Sequence, residues 1–298
     1  MGKENYPKRL VAGMLAVGGT LGLMIPPSLT FILIGTMVGI PIGDLFIAGI
    51  IPGLLEGLLL IIVVMYLSNK NNYGIKIDKI NVGEVGTGFV KSFPVLLIPV
   101  LILGGIYKGF FTPTEVSIVA VVYALLVSLF LYRTMKMRDL KPVFLESAYS
   151  AAMIYLVVIG GNLLGFAMTR MGVANAITQF IMDLNVPTWG VLLGVNIILL
   201  ILGCFLDGVS MIIILAPILF PVVTALGVNP IHFAVIMTAN IEIATITPPV
   251  GLNLFVMSGI SKMPVHEVVK GVAPFYVVRI IGLLLITYVP WLSLALVQ

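Results

Sequence analysis

Long apolar runs follow one another along the whole chain, with only short polar connectors between them. The runs are Leu10 to Ile40, Leu45 to Leu67, Phe93 to Tyr107, Val116 to Tyr132, Ala148 to Met168, Trp189 to Phe205, Met211 to Ala225, Phe233 to Ser258 and Val272 to Leu292. The connectors, Ser68 to Lys91, Arg133 to Lys141 and Ser261 to Lys270, are too short to form a separate soluble domain. A bilayer core is ~30 Å thick and takes about 20 apolar residues in helical form. Inside it every backbone N–H and C=O must find a partner within the protein, which leaves only helices or closed barrels. Runs of this length predict helices. Only 9% of the residues are charged and 60% are hydrophobic. Soluble domains carry roughly 25% charged residues, so this chain cannot coat a water-facing globule. It reads as an all-α integral membrane protein. Gly172 to Leu184 is less apolar and reads as an interfacial or connecting helix.

Several classes fall away. The single cysteine, Cys204, excludes an internal disulfide and a cysteine-based zinc site. His232 and His266 lie in no His-metal motif. The net charge of +4 fits cytoplasmic loops and gives no sign of nucleic-acid binding. Met1 to Arg9 is polar and the run after it has no typical cleavage region, so no secretory leader is expected.

Lys and Arg placement sets the expected orientation. With Arg133, Lys136, Arg138 and Lys141 in the cytoplasm, Lys70, Lys76, Lys79 and Lys91 fall on the same side, as do Lys3, Lys8 and Arg9. Lys108 and Arg170 fall outside, and Lys262 and Lys270 inside. The amino terminus is then cytoplasmic and the carboxyl terminus lies on the outer side. Trp189 to Ala225 reads either as two full spans or as a re-entrant hairpin. The hairpin is preferred because both halves are short and meet at Asp207, Gly208 and Ser210. Such a polar tip is tolerated at membrane depth only when buried in protein or lining a cavity.

An internal repeat is visible. Gly22-Leu23-Met24-Ile25-Pro26-Pro27-Ser28 corresponds to Ala244-Thr245-Ile246-Thr247-Pro248-Pro249-Val250 at an offset of 222 residues, which also relates Gly49 to Gly271 and Pro52 to Pro274. On the orientation above the two segments run in opposite directions, as in an inverted-topology repeat. Proline has no N–H to bond the carbonyl four residues back, and it pushes the preceding residue out of helical geometry. Pro26 and Pro27 therefore free the carbonyls of Gly22 and Leu23, and Pro248 and Pro249 free those of Ala244 and Thr245. Broken helices of this kind offer oxygens to a dehydrated cation and half-helix amino termini to an anion. The alternative is a kink satisfied by water or a nearby Ser or Thr.

Longer motifs carry a family resemblance. Gly18-Gly19-Thr20-Leu21-Gly22 with Ile25-Pro26-Pro27-Ser28 resembles the large membrane subunit of TRAP (tripartite ATP-independent periplasmic) transporters. So does Gly104-Gly105-Ile106 with Phe111-Thr112-Pro113-Thr114-Glu115. The run Ile246-Thr247-Pro248-Pro249-Val250-Gly251-Leu252-Asn253-Leu254-Phe255 is similar to the family's second break, and Gly203 through Asp207 to Pro217 and Pro221 to its second hairpin.

The resemblance implies an elevator-type secondary transporter with inverted repeats, a re-entrant hairpin and Pro-Pro-broken helices. Its function would be sodium-coupled uptake of an organic acid across the bacterial inner membrane. Partners would be a small membrane subunit and a periplasmic substrate-binding protein; sodium is the coupling ion, with no cofactor and no enzymatic activity. Carried over from the family, the carbonyls of Ala244, Thr247 and Val250 hold one sodium ion, and the repeat suggests Gly22, Ile25 and Ser28 for a second. Ala244 stands where the family often has glycine, a change that a carbonyl ligand survives. Family members also carry an earlier segment with another small-tipped hairpin. This sequence begins just after it, so the first repeat is expected to be incomplete and transport by the chain alone is not expected. The expected organisation is 1–40 as the end of the first repeat in a transport domain, 41–141 as scaffold helices and connectors, 142–260 as the second repeat in the transport domain, and 261–298 as a final scaffold helix.

Asp207, Gly208, Ser210, Glu242 and Asn253 are candidates for a substrate or ion pathway. An ionised carboxylate in an apolar run is costly unless paired or wet. For Asp207 the alternative is a structural bond to hairpin backbone, and for Asn253 a helix cap. Arg279 is expected to snorkel from the last span. Asp44 is expected in an exposed turn, and Glu56 in a scaffold span with no partner. Thr112 to Glu115 reads as a capping box with proline at the first helical position. Neither GxSxG nor HExxH occurs, and an Asp207–Glu242 aspartyl pair has no motif support. A stand-alone divalent-anion/sodium symporter and a passive channel or structural membrane subunit are the other readings.

Overall fold

The computed structural model describes residues 6–74 and 82–297. Of the charges used for orientation, Lys3, Lys76 and Lys79 lie outside the described residues. Every regular element among the described residues is helical: α1 (Lys8–Met24), α2 (Leu29–Val38), α3 (Ile42–Lys70), α4 (Val82–Tyr107), α5 (Pro113–Leu126), α6 (Leu140–Arg170), α7 (Val173–Asp183), α8 (Thr188–Gly203), α9 (Gly208–Ala225), α10 (Pro230–Ala244), α11 (Leu252–Ser261), α12 (Val265–Tyr288) and α13 (Trp291–Leu294), with a π-helical stretch at Val127–Leu131 and a short 3-10 turn at Met137–Asp139. Among the described residues seven helical stretches are long and apolar enough to cross a bilayer.

The helices depart from the apolar runs in places, each for a physical reason. Leu10 to Ile40 and Phe233 to Ser258 are each split in two at the Pro-Pro pairs. Trp189 to Phe205 gives only the 16-residue α8, about 24 Å at 1.5 Å per residue and short of a full span. The expected connector Ser261 to Lys270 is largely the start of α12, whose first turn carries Glu267. Asp44 does not sit in an exposed turn. It lies, partly buried, in the first turn of α3, where a carboxylate complements the helix dipole.

The chain divides into two compact units. The first comprises Met1–Ile75 and Gly160–Gln298. Its centre is α10, buried from His232 to Ala244 and packed by α1, α3, α8, α9 and α12. A helix enclosed on all sides needs no polar face, and α10 has none. Asn229 caps it, its side-chain oxygen accepting from the Ile231 N–H at 2.8 Å, and Pro230 occupies the first position, where no N–H is needed.

Helix α1 lies so close to α12 that a Cβ on Gly13 would sit 2.1 Å from the Gly271 carbonyl carbon, and one on Gly271 2.0 Å from the Arg9 oxygen. Small residues are what permit such backbone approach between membrane helices. Val17, Val268, Val272 and Phe275 fill the contact below.

The 222-residue offset extends to whole elements. Shifted by it, the starts of α1, α2 and α3 fall within one residue of the starts of α10, α11 and α12. The packing is reciprocal as well: α1 lies on α12 and α3 on α10. Each repeat thus packs its first helix against the third helix of the other.

The second unit, Lys76–Ile159, pairs α4 with α5. The Tyr123 hydroxyl donates to the Pro94 carbonyl at 2.9 Å. The capping box is present: Thr112 Oγ1 accepts from the Glu115 N–H at 3.3 Å, and Glu115 Oε2 accepts from the Thr112 N–H at 2.8 Å. Side chains such as Phe89, Val100, Ile118 and Phe130 point outward, as suits helices facing lipid rather than water.

Candidate functional site

At the first break, α1 ends at Met24 and Ile25 turns extended. The Pro26–Pro27 peptide bond is cis. Ser28 caps α2: its hydroxyl accepts from the Phe31 N–H at 3.4 Å and donates to the Leu23 carbonyl. One of the two carbonyls freed by the prolines is therefore satisfied by a neighbouring serine. Gly22, whose carbonyl loses the donor that residue 26 would otherwise supply, is exposed, as is Ile25; Ser28 is buried.

At the second break, α10 ends at Ala244 and the Pro248–Pro249 bond is again cis. The Ala244 carbonyl accepts from the Thr247 N–H at 3.0 Å and the Thr245 carbonyl from the Asn253 N–H at 2.9 Å. Each of these oxygens keeps a second lone pair. The Thr247 hydroxyl turns back to the Ile243 carbonyl at 2.6 Å, and the Tyr276 hydroxyl donates to that of Ile246. Gly251, at φ 35°, takes the left-handed backbone that glycine favours and leads into α11.

The hairpin of α8 and α9 delivers its tip to this second break. Val250 N–H donates to the Cys204 carbonyl at 3.0 Å. A Cβ on Gly203 would lie 2.4 Å from the Ala244 Cβ, and one on Gly208 2.7 Å from Ile241 Cγ2. Glycine on both sides of the tip is what allows the hairpin to sit on the last turn of α10. Asp207 is exposed and caps α9, accepting from the Val209 N–H at 3.1 Å, the Ser210 N–H at 3.4 Å and the Ser210 hydroxyl. Its hydrogen bonds are those of the structural alternative. Asp207 lies between Gly203–Cys204, which meet Ala244 and Val250, and Gly208, which meets Ile241.

Glu242 and Asn253 each reach toward other helices of the first unit. Asn253 donates to the Ala16 carbonyl of α1 at 3.3 Å, tying the second break to the first repeat. Glu242 is fully buried and belongs to a polar cluster that reading the sequence missed. Arg279 Nη1 lies 2.6 Å from Glu56 Oε2. Its Nη2 donates to Thr20 Oγ1 and lies 2.8 Å from Glu242 Oε2, an ion pair held by charge rather than by an aligned hydrogen bond. The expectations that Arg279 snorkels and that Glu56 lacks a partner are both corrected. Arg279 is 1% exposed because two carboxylates on α3 and α10 compensate it, so its head group need not reach water. Three ionisable residues of opposite sign in apolar runs were the available signal.

Among the described residues no hydrogen bond or ion pair joins Gly22, Ile25 or Ser28 directly to Ala244, Thr247 or Val250. The two sets occupy separate breaks, linked through Arg279 and Asn253.

Comparison with known proteins fits this geometry to a family. The model of the tripartite ATP-independent periplasmic transporter, DctM component, matches residues 1–292. The C4-dicarboxylate TRAP transporter large permease protein DctM of Pseudomonas aeruginosa is 39% identical, over 99% of this chain and 69% of its own length. Its namesake from Rhodobacter capsulatus is 36% identical, over 99% of this chain and 70% of its own. The isethionate TRAP transporter permease protein DctMQ of Oleidesulfovibrio alaskensis is 36% identical over 97% of this chain and 46% of its own length. Two helices broken at matched Pro-Pro pairs, a hairpin seated on one of them and a match over nearly the whole sequence lead to one conclusion: this chain belongs to the DctM component family of TRAP transporters, which are membrane permeases and not enzymes.

Proposed function

We propose that the chain works in sodium-coupled uptake of an organic anion across the bacterial inner membrane, as the large permease part of a TRAP system. The observation that carries this is the pair of matched helix breaks, the second held against the hairpin tip by the Val250–Cys204 hydrogen bond. Carbonyls of Ala244, Thr247 and Val250 would hold one sodium ion, and those of Gly22, Ile25 and Ser28 a second. A carbonyl that already accepts one N–H can still turn its other lone pair to a cation. Half-helix amino termini at α2 and α11 would favour the negative charge of the substrate. Asp207, Gly208 and Ser210 would border its path.

The relatives named for C4-dicarboxylates and isethionate make a small organic acid the expected substrate. A small membrane subunit and a periplasmic binding protein are the expected partners, and the fused name DctMQ agrees with the first. The α8–α9 hairpin would be re-entrant, since α8 is too short to span. The two repeats would run in opposite directions, with the amino terminus cytoplasmic and the carboxyl terminus periplasmic. An elevator movement would carry the α8–α9 hairpin and the broken helices α1–α2 and α10–α11 as the transport domain.

The test is uptake of a labelled C4-dicarboxylate into liposomes containing the chain, a co-expressed segment that supplies the family's earlier hairpin, a small subunit and a binding protein. An inward sodium gradient is expected to drive accumulation, and an equal potassium gradient is not. Accumulation with potassium alone would remove sodium coupling, and non-saturable flux would favour a channel.

A further inference from the structure

Thr20 and Glu242, the two residues that Arg279 Nη2 meets on α1 and α10, are separated by 222 residues. The same offset relates Pro26 to Pro248. Arg279 therefore grips equivalent positions in the two repeats. Each of these positions lies two residues before the first carbonyl of its break, Gly22 in one and Ala244 in the other. Glu56, the remaining partner, comes from α3, the counterpart of the α12 that carries Arg279, and its own equivalent position is Val278, next to Arg279. The cluster thus sits where the two repeats meet, and each repeat supplies two of its four members.

We propose that Arg279 is a positioning residue that couples the two helix breaks, so that a cation bound at one break raises the affinity of the other. The proposal rests on the sodium reading of the breaks given above. A guanidinium suits this role, because its planar fork presents five donors in fixed geometry and reaches both carboxylates and the threonine hydroxyl together. Thr20, Glu56, Glu242 and Arg279 are each at most 1% exposed, so solvent does not relax the contact. A cation that draws the Ala244 carbonyl toward it moves the last turn of α10, and Glu242 with it. Arg279 follows its ion pair and carries the displacement to Thr20, whose hydroxyl is anchored to the Val17 carbonyl at 2.8 Å. The last turn of α1, ending at the first break, then moves in step. Close-packed interiors transmit such shifts rather than absorbing them. Coupling between two sites in one protein is commonly about 5–150-fold in affinity, and two coupled sodium sites then bind with a slope steeper than one.

Thr20→Val is the discriminating variant. It removes only the hydroxyl, preserves the shape and leaves both ion pairs of Arg279 in place. Thr20→Ser restores the hydroxyl and serves as the rescue. The purified full chain in nanodiscs is titrated with radioactive sodium at constant ionic strength, and the steepness of the isotherm is read alongside its midpoint. The expected result is cooperative binding in the parent, a slope near one in Thr20→Val with sodium still bound, and recovery in Thr20→Ser. Loss of packing alone would lower the thermal midpoint without restoring steepness in the serine variant. Equal steepness in parent and Thr20→Val, or a slope of one in the parent, would overturn the coupling and leave sodium binding intact. Absence of any saturable sodium binding in the parent would instead remove the sodium reading itself, and the coupling with it.

Discussion

The Arg279 guanidinium lies 2.6 Å from the Glu56 carboxylate, and both side chains are 1% exposed. Arg279 serves two carboxylates, so its own loss strands both of them. Removing one partner of a buried ion pair typically costs about 3–5 kcal/mol. Arg279→Gln is expected in that range and Glu56→Gln well below it, because Glu242 still faces the guanidinium at 2.8 Å. Thermal unfolding in detergent reads the order; equal losses for the two variants would show that Glu242 does not compensate.

The contact of α1 with α12 tolerates no side chain at its closest point. Gly271→Ala would place a Cβ 2.0 Å from the Arg9 carbonyl oxygen. The three nearest atoms are all backbone, so relief requires the helices to separate. A loss of about 1–3 kcal/mol is expected, the usual range for overpacking. Gly18→Ala is the control: nothing lies within 4 Å of its added carbon, and alanine favours the helix by up to about 1 kcal/mol. A destabilised Gly18→Ala, or a neutral Gly271→Ala, would contradict the packing described.

Asp207 caps α9, and one substitution separates that cap from its proposed role on the ion path. Asparagine caps a helix about as well as aspartate does, whereas alanine costs about 0.5–2 kcal/mol. Asp207→Asn is expected to keep the thermal midpoint and to lower sodium-driven uptake at least about tenfold, by the cost of losing a charge on the ion path. Asp207→Ala is expected to lose both stability and uptake. Full uptake in Asp207→Asn would leave the residue a cap and nothing more.

Much of the architecture was legible because the bilayer makes strict demands on sequence. The apolar runs gave the helices, and the Pro-Pro pairs gave both breaks to within a residue. The 222-residue offset anticipated the matched elements, and Thr112 to Glu115 anticipated a capping box. Tertiary partners were less legible. Arg279 looks free to snorkel when α12 is considered alone; only packing brings Glu56 from α3 and Glu242 from α10 to it. The serine that takes the Leu23 carbonyl shows the same limit, since a proline reveals which oxygen is released and not what answers it. The link from Val250 to Cys204 depends on how the hairpin folds back, which no local pattern encodes. Ends of elements also shifted, as at Asp44 and at the start of α12, where polar residues continue a helix past its apolar run.

The most direct measurement for the central claim is hydrogen exchange of the purified chain in sodium against the same concentration of potassium, followed by mass spectrometry across both breaks. Cation binding by the Gly22, Ile25 and Ser28 carbonyls and by those of Ala244, Thr247 and Val250 predicts slower exchange in sodium at amides within 22–31 and 244–254. Exchange in α4 and α5 is expected to stay unchanged, and the protection at the second break to be lost when Pro248 and Pro249 are both replaced by alanine. Identical exchange in sodium and potassium at both breaks, or protection that survives the double replacement, would contradict the assignment of the broken helices as cation sites.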